Sequence, residues 1–372
     1  MYKLAFIGGS IDSIAGYPHF IASQMDKKFE VLSGTFSTDA AINKATAKQW
    51  KIERCYDDYQ SLIAHEKDRI DAVVILTPTP LHSQMIIDLL QANIPIICEK
   101  PLVGSLEEVA KIKKIYDPSK HFLVVTNNYS GYPMLRELRR KIASNELGEI
   151  LSIRLKMPQE SFLRPPKSVK YPQKWRLQDA FIPMINLDLG SHLHHLAYFL
   201  LHEEPTSVMA HYSSFSKYDV IDDVNMLLHY KSGISGNLWL SKTALGNRNG
   251  LHIEVYGTKA SASWHQETPE LLEFSYNTGE KTIIDRGSDI EIPPNTFYNR
   301  MTPGHPAGFI ESFANIYNDI ATALDKFHKK QPYLSEYIYG IDHAHFGLKL
   351  LHSASVANQQ STFVTIANGD TH

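Results

Sequence analysis

The first 125 residues or so alternate apolar runs with stretches of helical spacing, and this alternation constrains the fold more than any other feature. The strand-like apolar runs lie at 4–7, 29–32, 72–76, 94–98 and 122–125. The stretches with helical spacing lie at 40–50, 81–91 and 105–116. Alternation of this kind is typical of parallel sheets with helical crossovers. It predicts a first α/β domain over residues 1–126.

After residue 126 the pattern changes, because strand-like stretches follow one another. They lie at 150–156, 207–212, 224–230, 235–240, 251–256 and 260–264. Helical stretches flank them at 135–144, 191–201, 307–327 and 336–353. We therefore predict a second, α+β domain over residues 127–372, with an open, mainly antiparallel sheet and helices on one side. Two polar, Pro-rich segments, 158–180 and 277–303, are predicted to be long loops.

Composition excludes several classes of protein. The 372 residues are 43% apolar, which suffices for sizeable cores, and a net charge of −3 gives no electrostatic reason to expect nucleic acid. The two cysteines show no metal-binding spacing. The chain enters a strand directly after Met1, which leaves no room for a signal peptide, and no apolar run approaches the ~20 residues of a membrane span. We expect a soluble, cytoplasmic protein.

Two short motifs contain candidate catalytic residues. Glu99-Lys100-Pro101-Leu102 follows a predicted buried strand, and Asp188-Leu189-Gly190-Ser191-His192 lies about ninety residues later. His192 is a candidate general base, because the pKa of histidine lies close to working pH. Lys100 could stabilise a developing alkoxide. Asp188 lies one helical turn before His192 and could orient its imidazole or bind a substrate hydroxyl.

Other interpretations of these residues compete with the catalytic one. An isolated Asp-x-x-x-His is more often a capping aspartate and a buried, satisfied histidine. A lysine can simply mark the end of a strand. The cluster of His192, His194 and His195 invites a metal site, but neighbouring helical residues point in different directions and no second ligand cluster supports one, so we predict no metal.

A glycine-rich turn follows the first strand. Such a turn lets a pyrophosphate approach backbone N–H groups and the positive end of a helix. The turn comprises Gly8-Gly9-Ser10-Ile11-Asp12-Ser13-Ile14-Ala15-Gly16, in which serines 10 and 13 stand where the fingerprint G-x-G-x-x-G has its second and third glycines. The candidate contacts are Gly8, Ser10 and Ile11.

The end of the second predicted strand bears on the choice of dinucleotide. An acidic residue there would bind the ribose 2′-hydroxyl of NAD, but Asp39 lies too late and is better explained as a helix cap. Ser37 is the candidate ribose neighbour. No arginine is present to attract a 2′-phosphate, so both NAD and NADP remain open at this point.

Together these motifs, with Thr77-Pro78-Thr79-x-x-His82, resemble the Gfo/Idh/MocA family of sugar and inositol dehydrogenases over nearly the whole chain. The resemblance implies an N-terminal Rossmann domain, a C-terminal domain with an open sheet, and a nicotinamide cofactor. It implies homodimers or homotetramers built through the exposed face of that sheet. Pro101 is a candidate for a cis peptide bond.

The resemblance also implies roles for further residues. The expected cofactor neighbours are Thr77, Pro78, Thr79, His82, Glu99, Lys100, Asn128, Trp175 and Arg176. The candidate substrate-binding residues are Lys100, Tyr129, Tyr132, Asp188, His192, His195 and His305. The chain departs from the family pattern at His195, where an aspartate is common, and before Asp188, where glycines are common. These departures put the substrate in doubt more than the reaction class.

The leading functional hypothesis is an NAD(P)-dependent dehydrogenase that acts on a secondary hydroxyl or ketone of a sugar, inositol or related polyol. One alternative is an enzyme that keeps NAD tightly bound and recycles it in sugar–sugar oxidoreduction or glycoside hydrolysis. Another is a non-catalytic, nucleotide-sensing regulator. The combination of Lys100, Asp188 and His192 argues against a sensor, which needs no proton acceptor.

Overall fold

The computed structural model describes residues 1–165, 172–291 and 297–367. The chain forms two compact units. The first comprises Met1–Gly131 and Gly308–His345, and the second comprises Tyr132–Ala307 and the described residues from Phe346 onward. Within the described ranges, no helix combines the length and the apolar composition needed to cross a bilayer.

The first unit contains a six-stranded parallel sheet. Its strands are β1 (Tyr2–Gly8), β2 (Phe29–Thr35), β3 (Arg54–Cys55), β4 (Ala72–Leu76), β5 (Ile96–Glu99) and β6 (Leu123–Thr126). The crossover helices are α1 (Gly16–Met25), α2 (Ala40–Trp50), α3 (Tyr59–Glu66), α4 (His82–Gln91) and α5 (Leu106–Lys113). The strand order β3-β2-β1-β4-β5-β6 is that of a Rossmann fold, so the predicted fold class is confirmed.

The glycine turn differs from the prediction. Gly8 and Gly9 have φ values of +83° and +73°, which suit glycine. A Cβ added to Gly16, the first residue of α1, would lie 2.0 Å from the carbonyl oxygen of Gly9. Gly16, three residues beyond Ser13, is therefore the glycine that permits close contact between helix and turn. Placing the third fingerprint glycine at Ser13 was wrong because the turn is longer than the fingerprint.

A late helix packs on the first unit. Helix α8 (Phe309–His328) buries Phe313, Ile316 and Tyr317 in the same core as β1 and β2, whereas Phe309 is 39% exposed. Further along, the backbone of Tyr339 pairs with Val125 at the edge of β6. The sequence-based boundary at residue 126 differs here, because it assigned residues 308–345 to the second domain.

The second unit contains a nine-stranded open sheet. Its strands are β7 (Ile150–Pro158), β8 (Pro205–Ser213), β9 (Asp223–Tyr230), β10 (Ser235–Ser241), β11 (His252–Gly257), β12 (Ala260–His265), β13 (Leu272–Tyr276), β14 (Lys281–Ile284) and β15 (Val364–Thr365). The spatial order is β14-β13-β12-β11-β7-β10-β9-β8-β15. All neighbouring pairs are antiparallel except β7 and β10, which confirms the predicted, mainly antiparallel sheet.

Helices α6 (Pro133–Ala143), α7 (Ser191–Leu201) and α9 (Ile341–Gln360) complete the elements. Strand β9 shows how the sheet divides its faces: Met226 and Leu228 are buried, while Leu227 between them is 46% exposed. The predicted loop 277–303 contains β14, which pairs with β13. Residues 166–171 and 292–296 of the two predicted loops lie outside the described residues.

Substituting Gly16→Ala should destabilise the protein by roughly 1–3 kcal/mol, because the added methyl group must displace the backbone of Gly9. The free energy of unfolding in urea measures this cost. Ser13→Gly is the matched control. It removes the hydroxymethyl group whose oxygen accepts from the Gly16 N–H at 3.3 Å, and it introduces no steric clash. If Ser13→Gly changed stability more than Gly16→Ala, the reassignment of the third glycine would be wrong.

Candidate active site

The carboxyl ends of β1 and β4 meet at the point where the strand order of the first unit reverses. In such sheets this crevice binds the ligand. Gly8 ends β1, and a Cβ on it would lie 2.8 Å from the backbone nitrogen of Thr77, which follows β4. Pro78 caps the short 3₁₀ helix Thr79–Leu81 that follows Thr77. The structure therefore brings together Gly8, Thr77, Pro78 and Thr79, as the sequence predicted.

His82 is a link between two strand ends. Its ring is fully buried, with Nε2 2.8 Å from the carbonyl oxygen of Thr77 and Nδ1 3.1 Å from those of Pro101 and Leu102. Burial lowers the pKa of His82 although the carbonyl contacts oppose this effect. These contacts give His82 a structural role: it ties the residues after β4 to the cis peptide bond between Lys100 and Pro101. That cis bond confirms the prediction for Pro101.

Glu99 ends β5 inside a network of buried donors. Its Oε1 lies 3.0 Å from His19 Nε2 and accepts a 2.6 Å hydrogen bond from the hydroxyl of Thr126. His19 Nδ1 lies 2.8 Å from the Tyr317 hydroxyl of α8. Burial alone raises the pKa of the Glu99 carboxyl, but the hydrogen bond and electrostatic attraction from His19, with the charge of Lys100, lower the pKa below its ordinary value.

The depressed pKa of Glu99 makes a prediction about acid stability. A carboxylate whose pKa is lower in the folded state stabilises that state above its unfolded pKa of about 4.3, and the stabilisation is lost as pH falls through the folded-state pKa. Glu99→Gln should reduce the free energy of unfolding at pH 7 by about 1–3 kcal/mol. It should also flatten the loss of stability below about pH 4.3.

Urea unfolding of wild type and Glu99→Gln from pH 3 to 7 would test this, with Glu53→Gln as the control because the Glu53 side chain is 71% exposed. Parallel pH profiles for wild type and Glu99→Gln would contradict the assigned network.

Asn128 offers an unused buried donor. It lies just after β6 in a 3₁₀ turn, is 3% exposed, and its Nδ2 has no hydrogen-bond partner among the described residues. A buried N–H without an acceptor is costly, so this atom fits a ligand that brings an acceptor. The residues of the first unit therefore fit a dinucleotide in two ways, through the glycine turn and through this orphaned amide.

The neighbouring Tyr129 is buried, with its ring 6.1 Å from that of Phe309.

Three other predicted cofactor neighbours, Ser10, Ile11 and Ser37, already make hydrogen bonds within the protein. The N–H of Ile11 donates to the hydroxyl of Thr46, and the carbonyl of Ser10 accepts from Ser13. Ser37 follows β2 and its hydroxyl accepts from the N–H of Asp39. The Asp39 carboxylate accepts from the first N–H groups of α2, which confirms the predicted cap. Ile11 thus has no spare backbone donor for a phosphate.

Asn128→Leu should have opposite effects on stability and on binding. Removing an orphaned donor should leave the unfolding free energy of the ligand-free protein unchanged or raise it by about 1 kcal/mol, while affinity for NAD falls about 3- to 10-fold. Thermal unfolding and calorimetric titration measure the two quantities. Ser33→Ala is the matched control, since the Ser33 hydroxyl is also buried without a partner but lies within β2. Unchanged NAD affinity in Asn128→Leu would remove Asn128 from the site.

In the second unit, Asp188 lies within a widened helical turn and His192 lies just after it. Residues Asn186–Gly190 form a π-turn in which the N–H of Ser191 reaches the carbonyl of Asn186, and α7 follows without a break. Such turns are frequent at functional sites. Gly190 allows close packing, because a Cβ there would lie 2.9 Å from Leu351. His192 is buried as the second residue of α7.

The Asp188 carboxylate is held between two cations. Oδ1 lies 2.6 Å from Arg176 Nη1, and Oδ2 lies 2.9 Å from Lys242 Nζ. Arg176 also lies over the ring of Trp175, 4.4 Å from its centroid. The structure thus brings together Asp188, Arg176 and Trp175, which the sequence had singled out. It adds Lys242, which the sequence analysis missed.

Tyr132 and His195, two further candidate substrate-binding residues, are buried and pack against aromatic side chains. Tyr132 is 1% exposed with its ring 5.3 Å from that of Trp264, which is a packing role. His195 is buried against Phe199, and burial holds the pKa of His195 well below its ordinary value. His194 Nε2 lies 2.8 Å from Glu204, so neighbouring α7 histidines contact different groups.

His305 is exposed in a loop that a buried arginine organises. The Arg286 guanidinium pairs with Glu270 at 2.6 Å and donates to the carbonyl oxygens of Tyr298, Met301 and His305. These bonds fix the backbone of His305 and leave its ring at the surface. The prediction that His305 binds substrate remains a prediction.

Comparison with known families agrees with both units. Residues 2–128 match the family described as "Oxidoreductase family, NAD-binding Rossmann fold", and residues 135–263 match the "GFO/IDH/MocA C-terminal domain". The uncharacterized oxidoreductase YfiI of Bacillus subtilis is 29% identical over 97% of this chain and 96% of that protein. Inositol 2-dehydrogenase of Rhizobium meliloti is 29% identical over 66% of this chain and 69% of its own length.

Solved structures show the same similarity over nearly the full length. An inositol dehydrogenase homolog from Azotobacter vinelandii in complex with NAD⁺ has a TM-score of 0.89 and 26% identity, covering 98% of this chain and 97% of that one. The same homolog complexed with NADH and myo-inositol has a TM-score of 0.87.

Proposed function

The chain belongs to the Gfo/Idh/MocA family of NAD-binding oxidoreductases, and from this premise we propose that it transfers a hydride between NAD and a secondary hydroxyl, or the corresponding ketone, of a sugar, inositol or related polyol. The observation that carries the proposal is the Asp188 carboxylate, held between Arg176 and Lys242 one turn before His192. A substrate rich in hydroxyl groups needs such a set of fixed donors and acceptors. One relative is, by its name, an inositol 2-dehydrogenase.

In the proposed reaction His192 accepts the proton of the substrate hydroxyl as the C–H bond gives up its hydride. Its imidazole can accept and return a proton near neutral pH. Lys100 donates to the same oxygen and stabilises the negative charge that develops there. Asp188 accepts a hydrogen bond from a substrate hydroxyl.

NAD, when bound, supplies the hydride acceptor. The residues of the chain bind and orient it: the turn from Gly8 to Gly16 admits the pyrophosphate, and Asn128 Nδ2 donates to an acceptor near the nicotinamide. NAD is favoured over NADP because the Asp39 carboxylate occupies the first N–H groups of α2 and would repel a 2′-phosphate. The segment 36–39 carries no basic residue to offset that repulsion.

His192→Ala should keep NAD affinity and lower the rate of hydride transfer about 10²- to 10⁴-fold, because the proton acceptor is lost. Calorimetric titration of NAD, NADH, NADP and NADPH measures binding, and absorbance of the reduced nicotinamide over a polyol and sugar panel measures transfer. His211→Ala, an exposed histidine on β8, is the matched control.

Three outcomes of these experiments separate the hypotheses. Binding of NAD with net reduction that depends on His192 supports the dehydrogenase. Binding without net reduction on any substrate favours an enzyme that recycles tightly bound NAD, or a nucleotide sensor. Failure to bind any nicotinamide dinucleotide would contradict the proposal altogether, since the longer glycine turn would then have lost its ligand.

A further inference from the structure

Lys242 reaches Asp188 from the one parallel strand pair of the second sheet. Ser241 at the end of β10 is paired with Pro158 at the end of β7, so Lys242 and Gln159 emerge side by side. The Lys242 Nζ lies 2.7 Å from Gln159 Oε1 and 2.9 Å from Asp188 Oδ2. Its side chain is only 13% exposed. A mostly buried ammonium is thus committed to one amide oxygen and one carboxylate oxygen.

Behind Gln159 a chain of side-chain amides continues into the unit. Gln159 Nε2 donates to Asn249 Oδ1 at 2.8 Å, Asn249 Nδ2 donates to Gln266 Oε1 at 2.7 Å, and Gln266 Nε2 lies 3.5 Å from the Tyr132 hydroxyl. We call Gln159, Asn249 and Gln266 the amide relay.

The direction of the relay is internally consistent. Each amide accepts on the side of Lys242 and donates on the side of Tyr132, and turning one amide round would set two donors or two acceptors against each other. At its inner end Tyr132 is buried against Trp264. The relay therefore presents an oxygen, not an N–H group, to the ammonium of Lys242.

We propose that Lys242 is a positioning residue for Asp188, and that the amide relay fixes it in that role. Two cations on opposite oxygens fix the plane of the carboxylate, and this fixes the direction from which it can accept a hydrogen bond from a substrate hydroxyl. The amide relay links the ammonium of Lys242 by hydrogen bonds to the packed side chain of Tyr132, and this restricts where the ammonium can lie. The inference rests on the proposed function, because it assigns Asp188 a polyol hydroxyl as its partner.

A thermodynamic cycle tests the pairing without any substrate. Urea unfolding of wild type, Lys242→Met, Asp188→Asn and the double variant gives the coupling between the two side chains. We expect non-additivity, with Lys242→Met destabilising the wild type more than it destabilises Asp188→Asn. Additive effects would overturn the positioning role, whatever reaction the protein catalyses.

The same four proteins then test the effect on catalysis, with myo-inositol as the first probe and the most active polyol of the panel thereafter. Lys242→Met should raise the KM for the polyol about 10- to 100-fold, with kcat changed less than about threefold and NAD affinity unchanged. In the Asp188→Asn background it should raise KM no further. Lys242→Arg should recover most of the loss, because it keeps a cation.

Two more variants complete the design. Asn249→Leu breaks the amide relay without touching Lys242 and should raise KM by a smaller factor. Lys156→Met on β7 is the matched control, since its ammonium lies 3.9 Å from Glu254 instead, and KM should not change.

The failures are distinguishable. An equal rise of KM in the Asp188→Asn background would show that Lys242 acts independently of Asp188. Absence of polyol oxidation by the wild type would overturn the proposed function, and the unfolding cycle would still decide whether the two residues are paired.

Discussion

A carboxylate that leaves water must gain donors or cations, and each unit of this chain contains one such group among or beside its candidate residues. In the first unit Glu99 ends β5, accepts a hydrogen bond from the Thr126 hydroxyl and pairs with the ring of His19. In the second, Asp188 lies in the π-turn before α7, between Arg176 and Lys242. Lys100 directly follows Glu99 and His192 follows Asp188 by four residues, and these two residues carry the proposed proton transfer and charge stabilisation. Their backbone positions depend on how well the buried charge is satisfied.

The donors that satisfy these charges come from distant parts of the chain. Tyr317 reaches His19 from a helix almost three hundred residues later, and Gln159 and Lys242 are 83 residues apart. Removing one partner of such a network leaves a buried polar group unsatisfied, which costs more than the bond itself contributes. Substitutions in the supporting residues should therefore disturb the site more than their distance from the reacting groups suggests.

Much of this arrangement could be predicted from sequence. Strand β4 coincides with the predicted 72–76 because all five residues are apolar and buried, and α7 coincides with 191–201. Asp39 could be predicted as a cap because local geometry decides it. Strand β3 could not be predicted, since two residues, one of them charged, carry no period.

The misses at the site share a physical cause. His19 and Lys242 have no local signature, because their roles depend on helix packing and strand pairing that no short window contains. Gly16 was included in the predicted turn, but its role as the close-packing glycine was not recognised because a fixed spacing was imposed on a turn of variable length. Tyr132 was predicted to bind substrate, and this stays a prediction, because its described contacts are with Trp264 and the amide relay.

The return of α8 to the first unit has a consequence for biosynthesis. The sheet that carries Glu99 and Lys100 is encoded within the first 131 residues, yet its core also needs Phe313, Ile316 and Tyr317. While the ribosome translates the intervening segment, that core lacks the apolar residues of α8 and His19 lacks its tyrosine. The unit that begins first therefore cannot be completed until residues 308–345 have been made, and the network around Glu99 can assemble only after most of the chain has been translated.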